Sequence, residues 1–330
     1  MGSILSTLQP YVEQERVLAR YENLPLGRHV SLLISRKTES EAIFRTEGAG
    51  EGLVKEAVRA GRTHEEIVRR VVISKRKQTA VERRAGREVL REHGFLQRGE
   101  SGTCLINTNA PCEECIDCRL YGFAVGGGGA QKSRVLTSDA FSLGGVSQVT
   151  AKRTGNATFD NGTMRNPQTG EPSQALYEEE YVKPEVHFLD IETLKDVTAG
   201  ELAYVVANIV RSTRYGAISS RVGRVHNELL AVVFSDCELL SNLELTQAVY
   251  DWLIEGEELP FPLRDAAVAE AAVAVLEESL GELAGRSPVV VQGAALEGII
   301  GEIRSIYAEP QRLEQLLAEI EAGYPAARKA

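Results

Sequence analysis

Residues 29–36 read His-Val-Ser-Leu-Leu-Ile-Ser-Arg, a short apolar run that predicts a strand. A polar turn at Lys37–Ser40 follows, and Glu41–Thr46 is expected to return as a second strand and complete a hairpin. Residues 50–98 read as helix in two pieces, with Thr63 and Glu66 as a capping box for the second. Residues 99–119 form a loop organised by cysteines, and short strands are expected around 120–125 and 134–138. From Gly144 to Lys183 the pattern changes: Thr, Asn, Gly and Gln dominate, with few apolar residues (Val146, Val149, Phe159, Met164). Long excursions with so little core of their own are usually functional, so a protruding hairpin or arm is expected, the alternative being a disordered surface loop. Thr198–Ser212 is a helix, opened by a Thr198–Glu201 capping box and apolar at 202, 205, 206, 209 and 210. A loop from Thr213 to Gly223 leads into a strand at Val225–Phe234. Helices are expected at about 245–254, 264–284, 294–307 and 310–322, punctuated by Pro260, Pro262, Pro288 and Pro310.

At 330 residues the chain suits one elaborated domain or two, and it can bury a core without covalent help. No apolar run approaches the length of a membrane span, and Met1–Pro10 lacks the basic-then-apolar pattern of a secretory signal. A cytoplasmic protein with no membrane partner is expected. The net charge of −10 is segregated: residues 244–330 carry 16 acidic and 6 basic side chains, whereas residues 1–243 balance at 31 of each. Within that neutral part, residues 69–98 hold ten Lys or Arg and three Glu. Phosphate binding responds to such local clusters, so the acidic total does not exclude nucleic acid.

The densest chemistry is Cys104-x7-Cys112-x2-Cys115-x2-Cys118. Four thiolates within fifteen residues can close a tetrahedral site around one ion, and sites of four cysteines are typically structural zinc. An iron–sulfur cluster and unligated thiols are the alternatives. Cys237, alone in an apolar run, reads as a small buried hydrophobe. Gly126–Ser133 is Gly-Gly-Gly-Gly-Ala-Gln-Lys-Ser; a phosphate loop would need glycine where Gln131 stands, so an ATPase reading fails. Its amides, with Lys132, Ser133 and Arg134, still suit a polynucleotide backbone, against the plainer reading of a flexible turn. Two further basic clusters are Lys75, Arg76, Lys77, Arg83, Arg84 and Arg87 at helical spacing, and Arg211, Arg214, Arg221 and Arg224 around Gly216–Ser220. The first could be no more than a solvated face; Tyr215 gives the second a surface on which a base could stack. The five histidines lack metal spacing, no Gly-x-Ser-x-Gly elbow occurs, and Asp139 and Asp160 read as turn residues before they read as catalytic acids.

These residues resemble a known family. Leu120–Leu143, the cysteines before it, Phe44-Arg-Thr-Glu-Gly48, Ser74-Lys-Arg-Lys-Gln-Thr-Ala-Val-Glu-Arg-Arg84 and Arg214-Tyr-Gly-Ala-Ile218 are similar to the backbone subunit of type I-D CRISPR effector complexes. That subunit belongs to the Cas-seven family of the RAMP superfamily, and the resemblance runs over about residues 25–240. It implies an α+β fold: an RRM-like, ferredoxin-type core with large insertions, a projecting thumb hairpin, a four-cysteine zinc loop and a helical C-terminal region. The palm would be residues 1–243, with the zinc loop at 99–119 and the thumb at about 144–185; an acidic helical region, 244–330, would pack on it. Copies would assemble head-to-tail along guide RNA, pair target DNA through the guide, and contact other effector subunits in antiviral defence. The expected RNA contacts are Arg76, Lys77, Arg83, Arg84, Lys132, Ser133, Arg134, Arg211, Arg214, Tyr215, Ser219, Arg221 and Arg224. A metal-dependent single-strand nuclease is the alternative, and a zinc-stabilised scaffold without nucleic acid a third reading.

Overall fold

The computed structural model describes residues 4–45, 52–96, 102–106, 110–125, 129–156, 158–173, 176–217, 222–254, 256 and 258–325. In chain order come a short helix α1 (Gln9–Glu13), strands β1 (His29–Thr38), β2 (Lys55–Arg59) and β3 (Ile67–Ile73), and the long helix α2 (Lys75–Glu92). Next are α3 (Ile116–Tyr121), the short strands β4 (Phe123–Val125), β5 (Gly129–Gln131), β6 (Val135–Leu136) and β7 (Ala140–Phe141), and one turn of helix, α4 (Val146–Val149). The pair β8 (Thr150–Asn156) and β9 (Leu176–Val182) precedes β10 (His187–Lys195), α5 (Ala199–Arg211), β11 (Arg214–Tyr215) and β12 (Gly223–Ser235). The C-terminal part holds α6 (Asn242–Leu253), α7 (Asp265–Leu280), β13 (Val289–Val291), α8 (Gly293–Ala308) and α9 (Pro310–Ala322). This is a mixed α+β fold with antiparallel sheets.

The main sheet runs β11-β12-β1-β10-β6, with β13 also on β12. β1 lies at its centre, pairing Leu33 with Ile191 of β10 and with Ala231 of β12. Nearly all of β1 and β10 is buried, which is why both read as continuous apolar runs: a strand covered on two faces needs no alternation. On one face Val30, Leu32, Ile34, Leu194, Val232 and Phe234 pack against α2, α5, α8, α9 and the cysteine loop. On the other, Leu33, Leu189, Ile191, Ala231 and Val233 pack under α6 and α7. α5 and α6 are started by complete capping boxes, Thr198 with Glu201 and Ser241 with Glu244. Among the described residues no helix is long and apolar enough to cross a membrane.

Three expectations are corrected. The first supposed helix of 50–98 and the opening of the second are the β2–β3 hairpin; Ile-Val-Arg-Arg-Val-Val-Ile is mostly β-branched and suits a pleated surface, so tertiary pairing overrides the helical reading. Thr63 caps no helix there, and its N–H instead donates to Asp251 Oδ2 at 2.8 Å. Nor does Glu41 onward return along β1. Both edges of β1 are taken by β10 and β12, so Ala42 makes only an isolated bridge to Val182. The expected arm is an antiparallel ladder, from Thr150 opposite Val182 to Asn156 opposite Leu176. None of residues 151–156 and 177–181 is buried, so the ladder draws its footing from Val149 and Val182 at its base.

Candidate nucleic-acid interface

Helix α2 has two faces of opposite chemistry. Its inner face buries Gln78, Glu82, Gly86, Val89 and Leu90. Glu82 meets Arg36 of β1 at 2.8 Å, and Arg36 also pairs with Asp190 at 2.7 Å and donates to Tyr215 Oη and Asn227 Oδ1. Burial alone would lower the Arg36 pKa, but Glu82, Tyr215, Asp190 and Glu192 hold it well above the usual range. Gly86 lets α2 approach α5 closely: a Cβ there would lie 2.4 Å from Asn208 Nδ2 and from Tyr204 Oη. This buried network sets the position of the helix. Sequence reasoning missed it, although Arg36 inside an apolar strand and Glu82 inside a basic run were the available signals.

The outer face of α2 borders a groove of about 780 Å³. Its basic lining is Lys75, Arg76, Arg83, Arg84, Arg87 and Arg91, and Leu105, Ile106, Ser133, Val135, Leu136 and Thr137 line it as well. Lys75, Arg76, Arg84 and Arg91 are exposed. Arg83 and Arg87 lie deeper and share Asp117 of α3. Arg83 Nε and Nη2 each reach it at 2.8 Å, and Arg87 Nη1 at 2.6 Å. Burial would lower both arginine pKa values, yet Asp117 keeps both above their ordinary range. The groove therefore holds a cationic rim over a floor in which two guanidinium groups share one carboxylate. Gly122 (φ +76°) fixes its far side, since a Cβ there would lie 2.4 Å from Gln131 O and 2.7 Å from Ser133 N.

The other residues expected to bind RNA are scattered. Lys132 is exposed, Lys77 is half-buried, and Ser133 lines the groove while donating to Val135 O at 2.7 Å. Arg134 turns inward: it forms an ion pair with buried Glu201, donates to Asp196 O at 2.9 Å, and lies 4.9 Å from the Tyr21 ring. Its guanidinium is committed to the fold. Tyr215 is a correction: its ring is fully buried and its hydroxyl bonds Arg36, Asn227 and Glu82, so it offers no surface for stacking. Arg211 lies 5.6 Å from the Tyr307 ring. Arg214 and Arg224 are exposed neighbours across β11–β12, and Arg224 pairs with Glu39 at 2.5 Å. Ser219, Arg221 and Gly126–Gly128 lie outside the described residues. Asp139 accepts the Lys75 N–H at 2.8 Å at the start of α2, and Asp160 sits at the exposed tip of the arm. Cys237 is half-buried, its thiol donating to Ala284 O at 3.5 Å.

The four cysteines come together, every Sγ within 4.8 Å of the others. Cys104 and Cys118 stand 3.6 Å apart and Cys104 and Cys115 3.8 Å apart, too far for disulfides. A tetrahedral ion with metal–sulfur bonds of about 2.3 Å requires sulfurs about 3.8 Å apart, so the donor set fits. Backbone N–H groups of Cys112 and Cys115 donate to the sulfurs of Cys104 and Cys112 at 3.4 and 3.3 Å. Hydrogen bonding to Cys104 first, then to Cys115 and Cys118, draws the Cys112 thiol down, while Cys115 and Cys118 are pushed up by bonds within the cluster. Four thiols this close cannot all ionise without a cation between them. Among the described residues no other group of three or more His, Cys, Asp or Glu side chains is placed to hold a metal.

The profile of the Csc2 CRISPR family matches residues 16–317. Among solved structures, the crystal structure of Thermofilum pendens Csc2 superposes with a TM-score of 0.59 at 19% identity, covering 97% of each chain. A chain of a CRISPR RNA-guided surveillance complex superposes with a TM-score of 0.50 at 11% identity, covering 84% of this chain and 99% of that one. At such identities the likeness is one of fold. No curated protein matches the sequence.

Proposed function

The chain belongs to the Csc2 CRISPR family, and from that premise we propose that it is a backbone subunit of a CRISPR effector complex whose α2 groove receives the sugar–phosphate edge of guide RNA. The gathering of Lys75, Arg76, Arg84 and Arg91 on the rim of one groove carries this reading. A backbone subunit serves guides of any sequence, so it grips phosphate and ribose and leaves base edges free to pair with target DNA. Lys132 and Arg214 are exposed cations outside the groove lining, whereas Arg224 is paired with Glu39.

The chain order β1–α2–β6–β10–α5–β12, with spatial order β12-β1-β10-β6, supports a ferredoxin-type, RRM-like palm. RRM domains stack bases on an open sheet face. Here α6 and α7 cover that face, which turns the strand toward α2 and the edge loops. On this reading residues 1–243 are the palm, the β8–β9 ladder its thumb, and 244–330 a helical cover. The motifs support a type I-D complex, and with it a cytoplasmic protein beside other effector subunits. Head-to-tail copies along the guide require two different complementary faces. The cysteine cluster holds a structural zinc: its sulfur spacing suits one ion, whereas an iron–sulfur cluster would spread the sulfurs wider. The nuclease alternative is not favoured, because Asp139 is engaged at the α2 N-terminus.

The test is what co-purifies. The chain is expected to retain a discrete short RNA, to elute as a large assembly, and to leave labelled RNA and single-stranded DNA intact with Mg²⁺. A clean monomer with no affinity for single-stranded RNA would overturn the reading.

A further inference from the structure

The cysteine cluster and the basic groove share structural parts. Asp117 lies between two of the sulfur ligands, Cys115 and Cys118, and is fully buried. It holds both deep arginines of the groove, Arg83 and Arg87. Arg87 also donates to Cys104 O at 2.6 Å and points a nitrogen at Cys104 Sγ, 3.7 Å away. Leu105 and Ile106 directly follow Cys104 and stay 43% and 37% exposed while lining the groove. A dication on four thiolates leaves two negative charges, and Arg83 and Arg87, which share the single carboxylate of Asp117, stand where an outer shell would offset part of them.

We propose that metal occupancy of the cysteine cluster and binding of a single strand in the groove are thermodynamically coupled, with Asp117 as the positioning residue between them. The proposal rests on the groove being the RNA site. With the ion in place, the Cys115–Cys118 turn is fixed, Asp117 holds Arg83 and Arg87 along the floor, and Cys104 holds Leu105 and Ile106 at the wall. The cationic rim then takes phosphates while the aliphatic wall packs on ribose and an unstacked base. A duplex keeps its base faces stacked, so the ligand is single-stranded. Without the ion the four thiols lose their common centre and the wall loses its anchor. Because linkage is reciprocal, a bound strand must tighten the metal by the same factor that the metal tightens the strand.

The experiment uses the full chain, freed of nucleic acid in high salt and loaded with equimolar Zn²⁺. Competition with a chromogenic chelator measures zinc affinity with and without a short single-stranded RNA of mixed sequence. RNA is expected to raise zinc affinity about tenfold, and stripping zinc to weaken RNA binding by the same factor. Asp117→Asn keeps all four sulfurs, and in it RNA should no longer alter zinc affinity. The zinc measurement on the unaltered chain needs no variant to fold. If that chain binds RNA yet holds zinc equally with and without it, the coupling is wrong; if the zinc-loaded chain binds no RNA, the groove assignment itself falls and takes the coupling with it.

Discussion

Glu82 and Arg83 are neighbours in sequence but, about 100° apart around α2, meet different partners: Glu82 meets Arg36 at 2.8 Å above the central sheet, and Arg83 meets Asp117 at 2.8 Å beside the cysteine cluster. One peptide bond thus ties the helix to the core on one side and to the metal loop on the other. The groove between them inherits its geometry from both.

The exposed rim is the part of the groove that can be altered without touching those ties. Arg76→Glu with Arg84→Glu is expected to weaken single-stranded RNA binding at least about tenfold and to lower the salt slope by about 0.7 for each phosphate that is no longer neutralised. Thermal unfolding should stay unchanged, since both side chains are exposed. Filter binding across a salt series checks this, and unaltered affinity would place the strand elsewhere.

Among the described residues Arg36 is the sole cation paired with three fully buried carboxyl groups, Glu82, Asp190 and Glu192. Arg36→Met should cost about 3–5 kcal/mol, because it strands buried charge in addition to removing hydrogen bonds. Urea denaturation measures it; a loss below about 1 kcal/mol would mean that the carboxyls are neutral and satisfied without the guanidinium.

Burial first, and then the charges of Glu82 and Asp190, push the Glu192 carboxyl well above its ordinary range. An acid raised this way binds its proton more tightly folded than unfolded. Its stabilising contribution is complete below the unfolded value, about pH 4.3, and is lost as pH rises toward the folded value. Stability should therefore decline as pH rises above about 4.3, and Glu192→Gln should flatten that slope. An equal slope in the variant would exclude Glu192 as its source.

Cys115→Ser removes a fully buried sulfur of the cluster. Elemental analysis is expected to fall from about one zinc per chain to none, with a loss of at least about 2 kcal/mol in stability. Full zinc content in the variant would show that the ion is held elsewhere.

The cysteine spacing, the basic run of α2, the capping box of α5 and the low-apolar arm were legible in the sequence because each is a local pattern, complete within a turn, a helix or a loop. What no local pattern could decide was which cations face solvent. Arg83 is paired with a residue 34 positions away and Arg134 with one 67 positions away, and Tyr215 is buried by Arg36, 179 positions back. The β2–β3 hairpin was hidden for the same reason, since its pairing with β7 joins Ile73 to the distant Ala140. A side chain's chemistry is written in its own position, but its availability depends on partners that only the folded chain brings within a few ångströms.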